Sequence, residues 1–75
     1  MNTLTKKREA LILEGLAAWI AEDMHGHYER LAPHFAYETR TQSRVSWEKL
    51  PDNHRRLMIA AVQAALVSTM RRLCS

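Results

Sequence analysis

At 75 residues the chain makes one domain, spanning 1–75, whose core by itself confers only marginal stability. Apolar residues are 47% and charged residues 25% of it, ordinary globular usage that excludes disorder. The single cysteine, Cys74, excludes an internal disulfide and a thiolate zinc set, and the net charge of +3 permits an acidic partner without demanding one.

The first predicted element is a helix over about residues 4–32. Asn2, Thr3 and Thr5 are candidate N-caps, and no proline interrupts the run to Ala32. Leu13, Ala17, Ile20, Met24, Tyr28 and Leu31 recur at spacings of three and four and mark one face. Ile12, Leu16 and Trp19 repeat the spacing one position over. A stripe that wide faces two partners, the second helix and another chain, so these three are the candidate self-association residues of a homodimer. Gly26 marks a kink or a close approach of another backbone. Pro33 stops the helix, because it lacks an N–H and disfavours helical backbone at Ala32.

The connection runs over 33–46. Phe35 and Tyr37 are expected to anchor its start on the core, and the polar run 39–44 reads as loop. About fourteen residues is long for a helix-helix connection, so the segment either carries function or spans offset helix ends. Ser46 can cap a short turn near 46–50, where Trp47 and Leu50 plug the gap between the helices. Pro51 and Asp52 then suit the first turn of a second helix over about 52–73, with Arg71 and Arg72 favourable at its end. Its apolar face is Met58, Ala61, Val62, Ala65, Leu66, Thr69 and Leu73, and its alanines let another helix approach closely. The fold expected is all-α, two long antiparallel helices.

A set of residues carries a family resemblance: Ile20-Ala21-Glu22, His25, the aromatic Tyr28, Phe35 and Tyr37, then Val45-x-Trp47-Glu48-x-Leu50-Pro51, then Arg55 or Arg56 and Ala60. Over residues 19–70 the chain resembles the RyR domain, a small module that also occurs as stand-alone copies in bacteria and phages. The resemblance implies a helical fold and a ligand- or partner-binding role. The family usually has glycines around the aromatic pair, whereas Phe35-Ala36-Tyr37-Glu38 has none.

Catalytic patterns are weak. Glu22-x-x-His25 is half of a di-iron signature with no second half, and His25 and His27 diverge on a helix. His25 is read as a structural, hydrogen-bonded residue, Glu29 and Arg30 as facing water, and no metal or cofactor is expected. The apolar run 10–20, broken by Glu14, is too short for a membrane span. The expectation is a cytoplasmic, non-enzymatic protein with no membrane role.

What is left is binding. Arg40, Arg44, Arg55 and Arg56 form the candidate basic surface, with Tyr37 as the aromatic anchor. The reading favoured is a protein-binding module, an accessory inhibitor of a host defence complex in the manner of phage anti-CRISPR proteins, whose partner is a larger host protein. The alternative is an RyR-like module in which the same arginines hold a nucleotide or nucleic-acid phosphate.

Overall fold

The computed structural model describes residues 3–74, with side chains from residue 6 onward. The candidate cap Asn2 lies outside the described residues, as do the side chains of Thr3 and Thr5. Helix α1 covers Thr3–Leu31 and helix α2 covers Asp52–Cys74, with short 3₁₀ turns at Ala32–Phe35, Thr41–Ser43 and Trp47–Lys49 between them. No strand occurs among the described residues. The protein is all-α, as its two periodic stripes require.

Pro33 does not end the helical path at once. It sits in the first turn of the 3₁₀ segment that continues directly from α1. The reversal comes at Ala36, whose backbone is left-handed (φ 53, ψ 35). There the Ala36 N–H donates to the Pro33 carbonyl at 3.1 Å and the Tyr37 N–H to the Ala32 carbonyl at 3.0 Å, closing the orphan acceptors of the helix end. A residue with a Cβ in this conformation costs about 1–2 kcal/mol, and glycine relieves most of that. Ala36→Gly should therefore stabilise the fold by about 0.5–1 kcal/mol after the entropy of the unfolded glycine is counted, a rise of ~4 °C in a thermal melt. A fall in melting temperature would show that the left-handed turn is not the native one.

At the other end of the connection, Ser46 precedes the third turn in extended backbone, but its side chain makes no capping bond. Its carbonyl does the closing, accepting from the Lys49 N–H at 3.0 Å. Pro51 stands one residue ahead of α2 rather than inside it. Its carbonyl accepts from the N–H groups of both His54 and Arg55, at 3.0 and 3.1 Å. Asp52 opens the helix and Arg71 and Arg72 close it, each sign at the favourable end of the dipole.

The buried apolar side chains among the described residues are Ala17, Ala21, Ala32 and Leu50, with His25 beside them. Ala17, Ala21 and His25 follow one another at intervals of four along α1, so the protected line is a line of small residues and one imidazole. Leu50 lies at 3% exposure, as a plug should. Its companion Trp47 is only half-buried. Phe35 and Tyr37 do not anchor the loop on the core: they stand 78% and 57% exposed. Gly15 and Gly26 have no atom near the place a side chain would occupy, so Gly26 marks no close approach within the chain.

The molecule is a thin slab, 47 × 28 × 14 Å. Two helices can protect each other along one face apiece, and no third helix among the described residues covers the rest. Residues of α1 from 6 to 12 are exposed throughout, and no residue of α2 is fully buried. The helix long and apolar enough for a membrane span, by length and composition alone, is α2. Its uncharged run, 57–70, is bounded by Arg56 and Arg71 and extends about 21 Å, against the ~30 Å of a hydrocarbon core.

Candidate functional site

The best-organised polar region lies where the connection folds back on the last turns of α1. His25, buried to 6% exposure, donates from Nε2 to the Val45 carbonyl at 2.7 Å. Only a protonated nitrogen can face a carbonyl, so the acceptor fixes where that ring proton sits. The Trp47 ring lies 6.0 Å from the imidazole, tilted by 55°. One helical side chain thus ties down a loop residue 20 positions later and seats the third turn against α1. His25 is the structural, hydrogen-bonded residue that its position on the helix suggests.

A second latch lies one helical turn further on. Glu29 accepts the hydroxyl of Thr39 at 2.7 Å through one carboxylate oxygen and that of Ser43 at 3.0 Å through the other. Glu29 therefore does not simply face water; it is half-buried and holds both ends of the polar run. Ser43 also sits over the Arg40 carbonyl at 2.8 Å. Arg44 closes the set, its guanidinium donating to the Thr39 carbonyl at 2.7 Å and to the Thr39 hydroxyl at 3.2 Å. The sequence offered no pattern for this latch beyond a run of hydroxyl residues, because which of them meets Glu29 depends on how the loop folds. Arg30 does face solvent, and donates to Nδ1 of His27 at 2.8 Å.

These latches frame an open cleft of 940 Å³ between α1 and the connection. Tyr37 and Trp47 supply aromatic wall, and Arg44 lies on the rim. The other charged walls are Glu22, Glu29, Glu38 and Glu48. Half of the eight acidic residues of a basic chain thus lie around one cleft. A phosphate entering it would meet four carboxylates and one guanidinium already engaged by the backbone.

The four candidate arginines are not drawn together on this cleft. Arg44 lines it; Arg40, Arg55 and Arg56 do not. Arg55 and Arg56 lie in the first turns of α2 and both reach Asp52, at 3.6 and 2.9 Å. Such exposed pairs within one helix contribute little stability and release easily. Among the described residues, no three His, Cys, Asp or Glu side chains converge as a metal site.

Beside the cleft is an apolar corner. Tyr28, Leu31, Phe35 and Tyr37 surround a shallow hollow at the end of α1. The Tyr28 and Tyr37 rings meet edge to face at 5.9 Å. A hydrogen bond to Tyr37 raises the Tyr28 phenol above its ordinary value, with desolvation and the charges of Tyr37 and Glu29 acting the same way. The Tyr28 hydroxyl thus holds its proton more tightly than a free phenol. The three candidate self-association residues Ile12, Leu16 and Trp19 are also exposed, at 71%, 44% and 76%. No family model, curated protein or solved structure matches the chain.

Proposed function

We propose that the chain is a non-catalytic protein-binding module that docks a larger protein through its aromatic corner. The carrying observation is the exposure of Tyr28, Phe35 and Tyr37, at 55%, 78% and 57%, on a segment whose backbone is held by latches on both sides. Beyond the edge-to-face contact of Tyr28 with Tyr37, these rings leave most of their surface in water. Displayed on a pre-ordered frame they bind at low entropic cost, which is how aromatic anchors work at protein interfaces. The positive charge of Arg40, Arg55 and Arg56 lies outside the acidic cleft and would steer an acidic partner toward the module.

The more specific reading, a cytoplasmic accessory inhibitor of the anti-CRISPR kind acting as a homodimer on a host defence complex, rests on analogy of size and charge and on the phage occurrence of the RyR-like module. The carboxylates around the cleft weigh against the rival in which the arginines hold nucleotide or nucleic-acid phosphate.

A tagged chain incubated in host lysate should retain one protein in stoichiometric amount. The double variant Phe35→Ala, Tyr37→Ala should lose it while keeping its helical spectrum, since two anchors worth ~2 kcal/mol each weaken binding by about a thousandfold. Absence of any retained protein, together with calorimetric heat from nucleotides that fades with salt, would establish the phosphate reading instead.

A further inference from the structure

A groove runs between α1 and α2 on one broad face of the slab. Its walls are Ile20 and Met24 from α1 and Ala61, Ala65, Leu66 and Thr69 from α2. No charged residue lines it. We infer that this face is covered by the same face of a second copy of the chain, making a four-helix bundle about a two-fold axis. The inference uses a different surface from the aromatic corner and does not depend on the partner proposed there.

Three observations choose a second copy as the occupant. The first is area. The chain exposes 6426 Å², whereas a compact monomer of 8.7 kDa exposes about 4,700 Å². The surplus, about 1,700 Å² per chain, doubles to about 3,400 Å² for a pair, inside the roughly 2,000–5,000 Å² of obligate homodimers. A standard contact with an unrelated protein would remove only about half of that surplus.

The second is shape. The α1 wall presents two long side chains four residues apart, Ile20 and Met24, of which Met24 is 52% exposed. The α2 wall presents small ones at the same interval, Ala61, Ala65 and Thr69, with the larger Val62 and Leu66 beside them. A two-fold axis sets the ridge of each α1 over the low wall of the partner copy's α2. This is self-complementarity, the condition an isologous interface must meet.

The third is the lack of any second layer. A helix with an apolar stripe on an exposed face is stable only against another element, and no further helix among the described residues supplies it. A membrane core is the other apolar cover, but the uncharged run of α2, about 21 Å between its arginines, falls short of the ~30 Å needed to span one.

The test is solution mass by light scattering, with melting followed over a dilution series. The wild-type chain should weigh two copies, and its melting temperature should fall on dilution. Ala65 and Ala64 are both exposed in the single chain, Ala65 in the groove and Ala64 on another side of α2. Ala65→Glu should halve the mass, and Ala64→Glu should leave it at two copies. Monomer mass with melting independent of concentration would overturn the inference. So would a dimer that Ala64→Glu breaks and Ala65→Glu does not, or a monomer that partitions onto lipid vesicles. Should Ala65→Glu lose its helical circular dichroism, the dilution dependence of the wild-type chain decides the matter alone.

Discussion

Leu50→Ala is expected to leave the chain largely unfolded near body temperature. Leu50 is the large aliphatic side chain that the fold buries, at 3% exposure, and it stands between the third 3₁₀ turn and the start of α2. Removing a buried leucine side chain costs about 2–5 kcal/mol, the upper part of the range applying where the cavity cannot collapse. A chain of this length holds a total of roughly 4–11 kcal/mol. Thermal melting by circular dichroism should show a fall of ten degrees or more, on the order of 4–8 °C per kcal/mol. A shift of a degree or two would mean that α2 is held on α1 without the plug.

The second large effect is at His25. His25→Leu keeps the bulk of the side chain but leaves the Val45 carbonyl without its 2.7 Å donor. The bond is part-buried and Val45 is 37% exposed, so an acceptor stripped of its partner here costs about 1 kcal/mol, and the Trp47 contact loses its polar edge as well. The damage should be local. Amide exchange should quicken across 41–49 while the middle of α1 stays protected. If partner binding falls with it, the latch pre-orders the aromatic corner; uniform loss of protection along both helices would instead make His25 part of the global core.

Both effects turn on residues whose importance was unequally visible in the sequence. The two helices and their limits were legible because Pro33 and Pro51 bracket the connection and the apolar residues keep a spacing of three and four. His25 was legible too, as a histidine on the inward side of a helix. What the periodicity misjudged was which part of the stripe is protected. It weights large residues, and so points to Ile20, Met24 and Tyr28. With a single partner helix full burial narrows to Ala17 and Ala21, Ile20 is half-buried, and Met24 and Tyr28 stand in solvent. The aromatic pair was misread for a related reason. Phe35 and Tyr37 look like loop anchors, yet the loop is tied by Glu29, Thr39 and Ser43, polar side chains whose pairing no local pattern announces.

So small a core has a consequence for how the chain tolerates mutation. Folding of the single chain constrains Ala17, Ala21, His25, Ala32 and Leu50 most strongly, and leaves most other described positions open to polar replacement. In a saturation library scored for cellular abundance, intolerance elsewhere would have to come from another molecule. Positions that are exposed here yet reject charge would trace the outline of whatever covers them. Such a map would separate the groove between the helices from the aromatic corner.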